Sequence, residues 1–442
     1  VLSAISKVFG TDRLVVLQAK AALDWFSAAF LMCLALYSII NTKVKLYILN
    51  LTNIIYYIFE KYLYVDGSIS QKVSLIGVNI MRTELETRYT SDMNQKERDV
   101  LNEVLRHYDF RTASIEKIRS AYKVCTDKGD FCLKRVSHGY DKAKKTLYII
   151  DHLKENGCNS LAEYYHSKAG KVLLKYRDAA FYLTNWIEGR EASFSDPEEI
   201  LDCSELLANF HNMAKGFKTP RHVKMKAHTK KWSKSFKKYM DEMKGFKEYI
   251  DHLKIKSEFD YTYRDSIDIF MKEAEYSIKV LDHSRYDKLC KYYISERYVC
   301  HDSFYYQNIL IDNTGKQYIV DMESCQYDIP VSDLGKLIRR VLSKKHFRWD
   351  FDFCRKMIER YCKVCPLTKE EYEILLSILI FPHKFWKLGK KRYIRNKKWD
   401  EKKYGKKLHR LLRERKYKRE FIYCYIKFYG LDIECDPDII EL

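Results

Sequence analysis

Apolar residues fall into three textures along the chain. Ala21 to Ile40 is almost continuously apolar, broken by Asp24, and Val44 to Tyr64 is a second apolar stretch carrying Lys45, Glu60 and Lys61. The first is long enough to cross a bilayer, so residues 1–80 are read either as a hydrophobic helical extension forming a membrane hairpin or as sequence upstream of a true start near Met81. From Asp92 the pattern changes. Val100, Leu101, Val104 and Leu105 make one helical stripe between Asn94 and Tyr108. Three short strands follow at Ser114 to Ile118, Ala121 to Thr126 and Phe131 to Val136, the last two joined by Asp127-Lys128-Gly129-Asp130, where glycine supplies the positive φ of a turn. A helix from Asp141 to Glu155 stops at Asn156-Gly157, and two more strands span Lys171 to Tyr176 and Ala179 to Ile187. Beyond Gly189 helices dominate. Asp196-Pro197-Glu198-Glu199 opens one that runs to His211, long basic helices fill Lys230 to Leu281, and Thr368 to Glu371 is a capping box ahead of Tyr372 to Ile380. This order predicts an α+β chain: residues 81–189 as a small mixed lobe with an antiparallel sheet, and residues 190–442 as a larger helical lobe.

Composition narrows the class. With 32% charged and 46% hydrophobic residues, and only 15 Gly and 6 Pro in 442 residues, the chain is neither disordered nor fibrous. Its net charge of +20 favours acidic partners or reflects a lysine-rich surface. The 13 cysteines show no framework spacing, and Cys362-Lys-Val-Cys365 alone cannot complete a zinc site. They read as reduced, intracellular thiols without a structural metal.

The chemistry concentrates between Tyr298 and Leu342. Asn308 precedes the short strand Ile309 to Ile311, Asp312-Asn313-Thr314-Gly315 turns the chain, and Gln317 to Val320 returns it. Asn308 and Asp321 therefore meet at adjacent strand ends, where an amide oxygen and a carboxylate offer the hard ligands that Mg²⁺ prefers. His301 lies seven residues upstream of Asn308.

This spelling resembles the catalytic loop of protein-kinase-like phosphotransferases, in the branch of CotS-type spore coat proteins and aminoglycoside phosphotransferases, where H-G-D-x-x-x-x-N is followed by a metal-binding Asp. Ile319-Val320-Asp321-Met322-Glu323, Asp333-Leu334-Gly335 and Tyr327-Asp328-Ile329-Pro330-Val331 carry the likeness. So do Trp186-Ile187-Glu188-Gly189-Arg190, Leu206 to His211 and Phe381 to Trp386. The resemblance spans about Asn94 to Leu431 and implies a bilobal kinase-like fold binding ATP and Mg²⁺. By position, Lys134 becomes the strand lysine on the phosphates, or else a solvated lysine after a core strand. Phe181 to Ile187 becomes the hinge, with Asn185 and Ile187 on the nucleotide's adenine side. Asn308 and Asp321 become the metal ligands. Asp333 becomes the acid bracing the loop, or a simple helix cap, and His301 a loop anchor more than a catalyst. No glycine-rich loop precedes Lys134, and neither Asp141 nor Asp151 sits in register as its helix partner.

One departure bears on activity. Alignment on Asn308 puts Ser303 where the catalytic Asp belongs and Asp302 where the glycine belongs. Either the base is lost, or a one-residue shift brings Asp302 to the same point. Two functions are thus expected: an ATP- and Mg²⁺-dependent phosphotransferase acting on a small-molecule or protein acceptor, or a pseudokinase that assembles with other spore coat proteins. A small-molecule kinase for a sugar or amino alcohol is a third, and an acidic cleft for a cationic aminoglycoside is not evident. The expected location is the cytoplasm and then the spore coat, with membrane association only through residues 21–40. Between Lys384 and Arg419 stand 18 Lys or Arg against 3 acids, interleaved with Trp386, Tyr393, Trp399 and Tyr417. This run reads as a solvated face rather than a nucleic-acid site.

Overall fold

In a computed structural model, the described residues are 87–439 apart from 91, 138, 226, 228–230, 435, 437 and 438. The expectations for residues 1–80, the membrane hairpin included, lie outside them. No helix among the described residues is long and apolar enough to cross a membrane.

The chain opens with β1 (Arg88–Tyr89) and α1 (Gln95–Leu105), whose N-cap Asn94 accepts from the Glu97 backbone N–H. β2 (Thr112–Ile118), β3 (Ala121–Thr126) and β4 (Gly129–Ser137) form an antiparallel meander, and Gly129 at φ 111° turns β3 into β4. α2 (Tyr140–Glu155) crosses to β5 (Tyr164–Tyr165), β6 (Leu173–Tyr176) and β7 (Ala179–Asn185). The sheet order is β1-β2-β3-β4-β7-β5, with β6 also on β7; only β1 pairs in parallel. α1 covers this sheet by burying Leu101, Val104 and Leu105 against Val124, Leu133, Phe181 and Leu183.

β8 (Gly189–Glu191) leaves the small lobe and pairs with β10 of the large one. A Cβ on Gly189 would lie 2.0 Å from the Ile311 carbonyl oxygen, so only glycine lets the connection approach β10 here. The large lobe continues with α3 (Pro197–Ala214), α4 (Trp232–Asp251), α5 (Glu258–His283), α6 (Tyr286–Ser295) and β9 (Val299–Cys300). β10 (Ile309–Asp312) and β11 (Gln317–Ile319) form the expected hairpin, and β12 (Gln326–Tyr327) pairs with β9. The rest is helical: α7 (Val331–Leu342), α8 (Phe351–Cys362), α9 (Lys369–Ile380), α10 (His383–Gly389) and α11 (Glu401–Tyr429). α3, α7, α8, α9 and α11 share one core with the buried apolar residues of the β9–β12 region. The α4–α5 hairpin builds a second core against α9, α10 and Tyr404 and Leu408 of α11. The α+β, two-lobed expectation holds, and the loops carrying the candidate chemistry lie where the lobes meet.

Candidate functional site at the junction of the lobes

The β10–β11 hairpin pairs Ile309 with Ile319, and the Val320 N–H donates to the Asn308 carbonyl (3.0 Å). This register puts Asn308 beside the start of the loop at Asp321. There the backbone turns left-handed, with φ 64° at Asp321, and a 3-10 turn follows at Met322–Ser324. Lys134, at the β4 position paired with Tyr182, reaches across the lobes: its Nζ is 3.1 Å from Asp321 Oδ1 and 3.9 Å from Glu323 Oε2. Ser120, in the tight β2–β3 turn, lies 3.3 Å from the same Nζ. Burial opposes the ammonium, but Glu323 and Asp321 together hold Lys134 above its ordinary value. Burial and the neighbouring Asp321 push Glu323 up, whereas contact with Glu323 and Lys134 outweighs burial at Asp321 and holds it down. Tyr182 donates to Glu323 Oε1 (3.1 Å).

Among the described residues no carboxylate of α2 pairs with Lys134. α2 instead presents Lys145, buried, whose Nζ donates to the carbonyls of Cys325 (2.6 Å) and Glu323 (3.2 Å). The helix thus grips the backbone of the Asp321–Cys325 segment, and Glu323 supplies the carboxylate that the helix lacks. Ser120, Lys145 and Glu323 were not singled out by sequence reasoning. Glu323 lay inside a quoted motif, but the contacts of the other two depend on chain crossings that no local pattern signals.

The loop from His301 to Asn308 is held by α7. Asp333, buried near the start of α7, accepts the N–H of His301 (2.6 Å) and of Asp302 (3.0 Å), and His211 Nε2 lies 3.4 Å from it. Burial opposes its charge, but Lys336, His211 and His301 hold its carboxyl well below the usual carboxylate range. His301 is fully buried, its Nε2 is 3.2 Å from the Val320 carbonyl, and burial depresses its imidazole. His211 contacts Tyr361 OH (2.8 Å) and is enclosed, as a core histidine should be. Asn308 donates from Nδ2 to the Ser303 carbonyl (2.9 Å) and toward Ser303 Oγ (3.3 Å). Asp302 turns elsewhere: at φ 64° its carboxylate meets Lys336 Nζ at 2.6 Å.

Lys134, Asn308, Ser303, Asp321 and Asp333 therefore belong to one connected region, and Asp302 faces its α7 side. Asn185, at the end of β7, and Ile187 are not joined to this region by these contacts. The Asn185 N–H is taken by the Glu163 carbonyl (2.9 Å), and its Oδ1 accepts the Glu163 N–H. Ile187 sits half-buried in the connection after β7. The donor set fits a divalent ion bound with phosphates, because the Asn308 amide nitrogen is spent on Ser303 and its oxygen is left as the ligand atom.

Known proteins resemble the chain in sequence and in fold. Residues 101–425 match the family described as "Spore coat putative kinase YutH". Spore coat protein S of Bacillus subtilis (strain 168) is 27% identical over 341 residues, covering 75% of this chain and 95% of that protein. Among solved structures, an aminoglycoside phosphotransferase from Alicyclobacillus acidocaldarius superposes with a TM-score of 0.66 at 19% identity, over 77% of this chain and 98% of that one. A spectinomycin phosphotransferase, solved with ADP and spectinomycin, gives 0.52 at 13% identity, over 74% and 98%. At these identities the structural matches speak for the fold, which is kinase-like.

Proposed function

The chain belongs to this family of kinase-like spore coat proteins, and from that premise we propose that it binds ATP with Mg²⁺ and transfers the γ-phosphoryl group slowly to an acceptor. The observation that carries this reading is the Lys134–Asp321 ion pair at 3.1 Å, made across the two lobes. Asn308 and Asp321 would hold the ion, which when bound offsets phosphate charge. Lys134 turns to the phosphates, and the backbone of Ile187 serves the adenine. In the transfer the acceptor hydroxyl oxygen bonds to the γ-phosphorus as the bond to the bridging oxygen of ADP breaks. With no carboxylate at position 303 to receive it, the hydroxyl proton leaves to solvent water. A serine hydroxyl is too weak a base near neutral pH, and general-base help is worth about a hundredfold to ten-thousandfold. A spore coat location with other coat proteins as partners belongs to the same proposal, supported by the relative from Bacillus subtilis.

A second reading, a coat assembly protein without turnover, is favoured by one observation: the carboxylate of Asp302 is engaged by Lys336 at 2.6 Å. Calorimetry of Mg²⁺-ATP binding to the full chain, alongside an ADP-release assay, separates the two. Binding that is lost in Asp321→Asn, with slow ADP release, supports the first. Binding without release supports the second, and absence of binding by folded protein removes the nucleotide site from both.

A further inference from the structure

α7 carries cations that the nucleotide site does not use. Lys336 and Arg340 serve the loop, through Asp302 and through the Phe304 carbonyl (2.6 Å) respectively. Arg339 instead lines a small cleft of about 40 Å³ walled by α5, α7, α10 and α11. Its Nη1 is enclosed and makes no hydrogen bond among the described residues, and no carboxylate pairs with its guanidinium. The acids in the cleft wall already have cationic partners: Glu273 has Arg415 (2.7 Å) and Lys418 (3.0 Å), and Glu414 has Arg410 (3.5 Å) and attracts Lys384. Lys384 lines the same cleft and bonds Ser343. Lys387, three residues along α10, is exposed and makes no ion pair among the described residues.

A guanidinium partly withdrawn from water without an anion is costly, and here the neighbouring cations raise that cost. Desolvation, then repulsion by Arg339, Arg340, Lys391 and Lys336, pulls the Lys387 ammonium down to about 8, although its side chain keeps a face open to solvent. Burial brings Lys384 to about 8 and Arg339 to about 9. An arriving anion would relieve this, and the planar fork of arginine suits an oxyanion.

We propose that this cleft binds a small oxyanion, the phosphate or carboxylate group of a small-molecule ligand, with Arg339 as its principal contact and Lys384 beside it. The cleft's size fits one such group and not an extended polymer. The role assigned to that ligand, an anionic acceptor, rests on the phosphotransfer reading.

The test is calorimetric titration of the full chain with inorganic phosphate, in wild type, Arg339→Gln, Lys384→Gln and Lys134→Met, each checked for folding by circular dichroism. The expected result is saturable binding, weakened about tenfold in the first two variants, as for loss of a charge-assisted contact, and unchanged in Lys134→Met. Phosphate binding lost only in Lys134→Met assigns it to the nucleotide site and overturns the proposal. No saturable binding by folded wild type also overturns it. So does Arg339-dependent binding of polyglutamate without binding of phosphate, which would replace the small ligand with an acidic peptide. Mg²⁺-ATP titrations of the same proteins report the nucleotide site separately: phosphate binding without ATP binding keeps the oxyanion site and removes its role as acceptor site.

Discussion

Asp333 accepts two successive backbone N–H groups, those of His301 and Asp302, from a position with almost no solvent exposure. Removing a carboxylate so placed leaves buried donors without partners, so Asp333→Ala is expected to cost about 3–5 kcal/mol, read by chemical denaturation. The sign of its pH dependence follows from its depressed pKa. The unfolded chain takes up this proton first as pH falls, so the contribution of Asp333 is complete above about 4. It is lost on further acidification, and Asp333→Asn should flatten that acid limb. At position 303 the prediction concerns rate. Ser303→Asp puts a carboxylate beside Asn308 and should raise ADP release about a hundredfold to ten-thousandfold, with little change in ATP affinity. An unchanged rate would show that the missing base is not what limits turnover.

The elements were largely legible, because each has a local cause. Asp196 and Thr368 cap their helices as their spelling suggests, Gly129 makes its turn, and the β10–β11 hairpin forms about Asp312–Gly315. From that hairpin the meeting of Asn308 with the Asp321 loop could be read in advance. What α2 does could not be. A lysine among Lys142, Lys144 and Lys145 carries no local mark of burial, and the carbonyls that Lys145 reaches lie about 180 residues away. The engagement of Asp302 by Lys336 was hidden for the same reason. Lys145→Met should leave those carbonyls without their charged donor, and faster amide exchange across α2 and residues 322–325 is expected by mass spectrometry. Gly189→Ala tests another contact between the lobes. Its methyl would collide with the Ile311 carbonyl, and the midpoint of thermal unfolding should drop by about 1–3 °C, what 1–2 kcal/mol produces in a chain of this size.

At the scale of the whole molecule the dominant quantity is the charge of +20. Like charges crowd locally as well: Lys391, Lys397, Lys403 and Lys407 stand 5.0–5.3 Å from the Trp399 ring. Self-repulsion of this kind weakens as the screening length shortens, from about 30 Å at 0.01 M salt to 10 Å at 0.1 M. Thermal midpoints should therefore rise with sodium chloride over that range; a fall would mean that surface ion pairs outweigh repulsion. The way α7 holds the His301–Asn308 loop also has a bearing on descent. Its grip at Asp333 is on backbone amides, and the side chain at 303 takes no part in that grip. A lineage can therefore exchange serine and aspartate there by substitution at one codon while the scaffold is inherited unchanged. Active and silent members can arise repeatedly within such a family, and ancestry alone will not tell them apart.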